Sequence, residues 1–294
     1  MAYRIFGINF GTIFDSLPWL AYFARNVPGL GEDVKRMREM GIGKAALRNK
    51  QGSKTKDLFY YLSNDDLPEE KKANPAIVIA EGILATVAGS DTTSNALTVA
   101  LYFLLKNQDA YRRLQAEVDK FYPQGEDPLD SKHYKDMEFL EAVINETLRM
   151  YPAVMSGSQR SVMRGQGGKL IGQYYIPEDT QVRIPTYTLH RDPRNFSPYP
   201  DTFWPDRWLI AEGRQESKEE IVHQVNAFIP FSFGPANCVG KNLAWTQLRM
   251  VLVALLHKFE IKPVKGWDAD EWERLITEQY ITMRTSLPVI LERR

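Results

Sequence analysis

Apolar residues in the first half of the chain recur every three or four positions, the spacing that lines up side chains on one face of a helix. Residues 17–40 read as one or two amphipathic helices broken at Pro28-Gly29, and residues 41–56 as a loop containing Lys and Gly. A short helix at 57–62 ends in the acidic linker 64–70. Pro75 then opens the longest periodic stretch, which extends to about Leu105 and spans roughly 45 Å as one continuous helix. Ile77, Val78, Ile83, Leu84, Leu97 and Leu101 place apolar surface nearly all round it, the pattern of a helix buried inside a protein. Helices over 109–122 and 136–151 follow.

After Pro152 the period changes to two. Residues 169–171 and 174–176 flank Gly172-Gln173, and 181–184 makes a third short strand. The stretch 192–208 is too rich in Pro and aromatics for regular structure, and a polar insert, 211–220, separates it from 228–240. A strong helix over 243–259 follows, and 281–284 with 288–291 suggest a terminal hairpin. The expected fold class is mainly α with small β-sheets.

Composition narrows the field. The 294 residues carry 37 Lys+Arg against 37 Asp+Glu, so zero net charge gives no reason to expect nucleic acid as a partner. With 44% hydrophobic and 25% charged residues the chain has the makeup of a globular protein rather than a disordered one. Its first twenty residues include Arg4, Asn9 and Asp15, which fits neither a clean signal peptide nor a membrane span, although their aromatics could touch a membrane surface. No transmembrane segment is expected. A single cysteine, Cys238, excludes an intrachain disulfide, and four scattered His argue against a structural zinc site. Cys238 is therefore buried filler, a nucleophile or a ligand.

The neighbours of Cys238 favour a ligand. Phe231, Gly234, Cys238 and Gly240 surround a loop-to-helix junction, where glycine lets the backbone approach a flat ligand and the helix points unpaired N–H groups at the sulfur. Those donors favour thiolate, and one thiolate alone suits a haem iron, whose equatorial ligands come from the porphyrin. From the chain's own composition, Phe, Gly, Cys and Gly at these spacings arise by chance with a probability on the order of 10⁻⁴ over the whole chain.

Phe-x-x-Gly-x-x-x-Cys-x-Gly resembles the ligand loop of the cytochrome P-450 haem-thiolate monooxygenases. Further motifs occur in that family's order. Glu146-Thr147-Leu148-Arg149 resembles its Glu-x-x-Arg helix, with both charges on one face, and Arg207, in Phe203-Trp204-Pro205-Asp206-Arg207-Trp208, is similar to the meander arginine that completes a buried cluster. Asp206 stands where Glu is more usual. Glu271 and Arg274 match the same four-residue template and read as a solvated surface pair. Ala88-Gly89-Ser90-Asp91-Thr92-Thr93 resembles the oxygen-activating segment, in which Asp91 and Thr92 would relay protons, although an ordinary polar break in a buried helix has the same pattern. His190-Arg191-Asp192-Pro193 resembles a family corner, Arg160 stands at the place of a propionate-binding arginine, and residues 153–157 resemble the segment lining the substrate pocket.

The resemblance implies a cytochrome P-450 fold, truncated at its N-terminus, over the C-terminal portion of a fungal-like member. The whole of 1–294 would then be one partial domain with a central helix at about 75–105, the Glu-x-x-Arg helix at about 136–151, the meander at 192–208 and the ligand loop at 231–240. It implies haem b (iron protoporphyrin IX) with Cys238 as axial ligand, Arg160, Phe231, Gly234 and Gly240 around it, and Asp91 and Thr92 as catalytic residues. Glu146, Arg149 and Arg207 would form the structural cluster. The implied partners are a flavin-containing NADPH reductase, docking near Lys241, Arg249 and Lys258, and a small lipophilic substrate, with the chain a monomer at the endoplasmic reticulum membrane. Absent are the family's N-terminal anchor, most of its mixed sheet, one propionate-holding helix and a pocket-closing loop, and Ala236 replaces a frequent basic residue. The alternatives are a truncated remnant with weak or no haem binding and a haem enzyme that rearranges peroxides without a reductase.

Overall fold

A computed structural model describes residues 32–52 and 55–294, so of the helices expected over 17–40 only the part from Glu32 on, which is helical, lies within the described residues. The chain divides into two compact units, Met1–Asp91 and Thr92–Arg294, with the boundary inside the longest helix.

In the first unit, helix α1 (Glu32–Gln51) replaces most of the loop expected at 41–56. Each internal glycine costs about 1 kcal/mol against Ala, but Lys44, Ala45, Ala46, Leu47 and Arg48 are good helix formers. Arg48 also closes the helix end, donating to the Gly52 carbonyl and, at 3.1 Å from Nε, to Asp57. Asp57 in turn caps α2 (Leu58–Ser63) by accepting from the Tyr60 N–H at 3.0 Å. Helix α3 (Pro75–Lys106) begins after Asn74, whose side chain takes the Ala76 N–H at 2.9 Å. It meets α2 where a Cβ on Gly82 would lie 2.5 Å from the Phe59 ring.

The expectation of all-round burial fails for the first half of α3. Val78 and Gly82, four residues apart on one face, are buried, whereas Ile77 and Leu84 stand on other faces and are exposed. One packed face cannot cover a helix that is apolar on every side. By length and composition α3 is long and apolar enough to cross a membrane, a test that a core helix passes as well, so it does not decide the expectation of no transmembrane segment. Its second half, however, is protein core, with Val99, Tyr102 and Leu104 fully enclosed.

In the second unit that half-helix joins α4 (Gln108–Phe121) and α5 (Glu138–Met150). Tyr111, Leu114 and Val118 form the buried stripe of α4. Glu117 of α4 accepts the Phe139 and Leu140 N–H groups at 2.8 Å each, which satisfies the first donors of α5. Short elements follow: β1 (Arg160–Ser161), β2 (Lys169–Ile171), β3 (Tyr174–Ile176), β4 (Gln181–Val182), α6 (Thr186–Arg191), β5 (Phe196–Ser197), α7 (Asp206–Ala211) and β6 (Val222–His223). The β2–β3 hairpin is as expected, whereas β1 pairs with β4, and β5, inside the stretch read as irregular, pairs with β6 beyond it.

Helix α8 (Lys241–Lys258) runs directly into β7 (Phe259–Pro263), and α9 (Ala269–Arg274) precedes β8 (Thr277–Gln279), β9 (Ile281–Met283) and β10 (Val289–Arg293). The expected terminal hairpin is not formed. β9 pairs with β8 through a turn at Tyr280 (φ 67°), and β10 pairs with β7 over five residues, from Val289 opposite Pro263 to Arg293 opposite Phe259. A five-residue ladder against β7 satisfies more backbone groups than a short hairpin between β9 and β10 would.

Candidate functional site

Three charged side chains, Glu146, Arg149 and Arg207, are almost completely buried together. Glu146 and Arg149 share a face of α5, three residues apart, and Arg207 comes from the first turn of α7. Arg149 forks onto the Glu146 carboxylate at 2.9 and 2.8 Å, and Arg207 Nε donates to Oε1 at 3.1 Å. The Trp204 N–H (2.8 Å) and Trp208 Nε1–H (3.0 Å) complete the carboxylate's shell. The remaining guanidinium donors take carbonyls: Arg149 those of His190, Pro200 and Thr202, and Arg207 those of Pro198 and Tyr199. Burial pushes the Glu146 carboxyl up, but the charge and forked bonds of Arg149, then Arg207, outweigh it and hold the group below the usual carboxylate range. The result is a fully paired buried network that ties 198–204 to α5.

His190 extends this scaffold toward the cysteine loop. Its Nε2 accepts the Ile229 N–H at 3.0 Å. Burial, then the Arg149 charge, lowers its pKa to about 4, so the ring is neutral and keeps its acceptor. Two turns shape the loop itself, with Ser232 at φ 62° and Gly234 at φ 80°. The Ser232 N–H donates to Ile229 O at 3.0 Å, Asn237 to Gly234 O at 3.0 Å, and Cys238 to Phe231 O at 2.9 Å. Gly240 then caps α8, and a Cβ placed on it would lie 3.8 Å from the cysteine sulfur. Cys238 is thus held at the mouth of α8 by its backbone while its thiol is exposed.

The loop around Cys238 also exposes apolar side chains: Phe233 is 81% exposed and its neighbour Val239 fully so. Arg160, itself exposed, donates to Ser232 Oγ at 3.3 Å, so β1 and the cysteine loop converge. Phe231 packs near Trp245 of α8, with Lys241 Nζ 5.9 Å from its ring. Next to it a cavity of about 660 Å³ is lined by Lys135, Asn145, Phe231, Lys241, Trp245 and Arg249, among others.

Three expectations need adjustment. Arg249 is not a free cation for docking: its Nε meets Glu141 at 3.0 Å and its guanidinium lies over Trp245. Lys241 and Lys258 are the first and last residues of α8, roughly 25 Å apart along the axis, so the three cations form no single patch. Asp91 is exposed rather than trapped in an apolar interior, and it ends one compact unit where half-buried Thr92 begins the other. A Cβ on Gly89 would meet open space, so no close approach requires glycine there.

Some important residues escaped the sequence reading. Trp208 and His190 act through a ring N–H and a ring acceptor, and only their place inside short motifs hinted at it. Glu273, within the template match read as a solvated pair, accepts Tyr102 Oη at 2.6 Å, Tyr151 Oη at 2.9 Å and Lys106 Nζ at 3.0 Å. Burial raises its pKa, but these donors prevail and keep it ionised below the usual range. Glu271 and Arg274 are indeed exposed.

The donor chemistry fits the cofactor that the resemblance implies. Among the described residues no cluster of three or more His, Cys, Asp or Glu could chelate a bare metal ion. A lone exposed thiol in a loop that exposes apolar side chains instead suits a flat macrocycle that brings its own equatorial ligands.

Comparison with known proteins agrees. A family model described as cytochrome P-450 matches residues 3–284. Among curated relatives, the cytochrome P-450 monooxygenase nodW of Hypoxylon pulicicidum is 37% identical over 85% of this chain and 44% of its own length. The monooxygenase phqL of Penicillium fellutanum is 34% identical over 90% of this chain and 45% of its own, and eupD of a Phoma species is 32% identical over 86% and 88%. The chain thus spans about half the length of nodW and phqL, and most of the shorter eupD. The crystal structure of the cytochrome P450DA heme domain shares the fold, with a TM-score of 0.73 and 22% identity over 95% of this chain and 59% of that one.

Proposed function

The chain belongs to the cytochrome P-450 family, and on that premise we propose that it carries the thiolate-bearing part of a haem monooxygenase, which inserts one atom of dioxygen into a small lipophilic substrate. The observation that carries this reading is the single cysteine, its backbone fixed by the Phe231 carbonyl and its thiol exposed in a loop that also exposes Phe233 and Val239. Bound haem would supply the activation of dioxygen and the transfer of one oxygen atom to a C–H bond. Cys238 would bind the iron as thiolate, and Arg160 would pair with a propionate. Phe231 and the two glycines, Gly234 and Gly240, shape the loop and leave room beside the sulfur. Asp91, exposed to solvent, would collect protons, and the Thr92 hydroxyl would pass them on toward dioxygen.

Glu146, Arg149 and Arg207 hold the meander, and His190 holds the Ile229 end of the cysteine loop, so the ligand is presented by a rigid frame. Electrons would come from a flavin-containing NADPH reductase whose acidic face meets Lys241 and Lys135 at the rim of the cavity beside the loop. We assign the chain to the monomeric, endoplasmic-reticulum-associated members of the family. The second reading is a remnant that binds haem weakly or not at all.

The carbon monoxide difference spectrum of the reduced, haem-reconstituted chain separates the two. A thiolate-type Soret band that vanishes in Cys238→Ala supports the monooxygenase; no band in the native chain supports the remnant, and an unchanged band in the variant removes Cys238 from the site.

A further inference from the structure

Residues 151–157 form neither helix nor strand, yet they are pinned on several sides within the second unit. Tyr151 Oη donates to Glu273 at 2.9 Å. Thr282 donates its hydroxyl to Pro152 O at 2.9 Å and its N–H to Ala153 O at 2.8 Å. The Tyr187 N–H takes Met155 O at 2.9 Å. Ser156 gives both of its donors, N–H and hydroxyl, to one oxygen of Glu278, each at 2.7 Å. Gly157 then turns at φ 71°, with the Ile184 carbonyl occupying the place where a Cβ would stand. Three of these anchors come from one short stretch, Glu273 in α9, Glu278 in β8 and Thr282 in β9.

Among the anchors on 152–157, the one from Glu278 alone is a charged side chain. A carboxylate receiving two donors is roughly twice as strong an acceptor as a neutral group. Glu278 pairs across the β8–β9 hairpin with Thr282, so both arms of one hairpin grip the segment, Thr282 at 152–153 and Glu278 at Ser156. The pinned segment walls a cavity of about 500 Å³ to which Met155, Ser156, Tyr187 and Glu278 all contribute. With both Ser156 donors occupied, the segment offers a ligand the half-buried apolar side chains of Ala153, Val154 and Met155 and no donor from Ser156.

We propose that Glu278 is a positioning residue that, by binding both donors of Ser156, sets the shape of the 153–157 segment and makes the site favour the more apolar of two ligands. This rests on the reading of 153–157 as a wall of the substrate pocket. The test uses the haem-reconstituted full chain, native, Glu278→Ala and Glu278→Gln. Amide hydrogen exchange in peptides covering 152–158 reads the anchor, and Soret-shift titrations with 4-phenylimidazole and imidazole read the pocket.

In Glu278→Ala, exchange should quicken by roughly tenfold or more. The preference for phenylimidazole over imidazole should fall about fivefold or more at unchanged haem content, since a freed hydroxyl and a looser wall reduce apolar fit. Glu278→Gln, which keeps an oxygen acceptor, should fall between. Unchanged exchange in Glu278→Ala overturns the anchor. Faster exchange with an unchanged probe preference overturns the role in selectivity. A native chain with no Soret response to either azole sinks the haem reading itself and the selectivity role with it, whereas accelerated exchange alone would still establish the anchor.

Discussion

Replacing Arg149 by Ala tests the buried charge cluster most severely. The substitution removes both forked bonds to Glu146 and the donors to the His190, Pro200 and Thr202 carbonyls. Glu146 would keep Arg207 and the two Trp donors, so its charge stays partly compensated. Breaking a buried ion pair by removing one partner costs about 3–5 kcal/mol, and one buried and two part-buried carbonyls lose a donor besides, at about 1 kcal/mol each. The sum approaches or exceeds the whole stability of an ordinary domain, about 5–15 kcal/mol. Arg149→Ala should therefore give insoluble or haem-free protein. Arg149→Lys keeps the charge but cannot fork, and should be destabilised less. Arg274→Ala, in the exposed copy of the same four-residue template, should change stability by less than about 0.5 kcal/mol. Soluble yield and urea midpoints of the three variants are the assay. A soluble Arg149→Ala with a midpoint like that of Arg274→Ala would refute the reasoning.

Two further outcomes follow from the scaffold. His190 takes its proton near pH 6.5 when unfolded but only at about 4 when folded, so stability present above pH 6.5 is lost as pH falls from there toward 4. The loss attributable to this ring is at most about 3 kcal/mol. Urea midpoints between pH 7 and 4.5 should fall more steeply for the native chain than for His190→Asn, and parallel curves would contradict the assignment. Gly157→Ala should destabilise the chain by more than about 2 kcal/mol, because the left-handed backbone and the Ile184 carbonyl both oppose a Cβ; a melting temperature within a degree of the native value would count against it.

How much was legible in advance varied with the physical range of each interaction. The long helix, the β2–β3 hairpin and the helix behind the cysteine follow from periodicity and turn residues, which act over a few positions. The pairing of β10 with β7 does not, since two short strands carry no local label of their partner. Glycines misled at 41–56, where good helix formers and the Arg48 closure prevail.

The site divides the same way. Sequence determined that one cysteine stands between glycines ahead of a helix, and that Glu146 and Arg149 share a helical face. These are consequences of spacing along a single backbone. Only the tertiary structure decided that Arg207, Trp204 and Trp208 close on Glu146, that His190 holds Ile229, that Arg249 is matched by Glu141, and that Glu278 grips Ser156. In each case the partner lies more than thirty residues away, and the free energy that selects it comes from desolvating a charge or polar group beside that one neighbour, a quantity that exists only after the chain has packed.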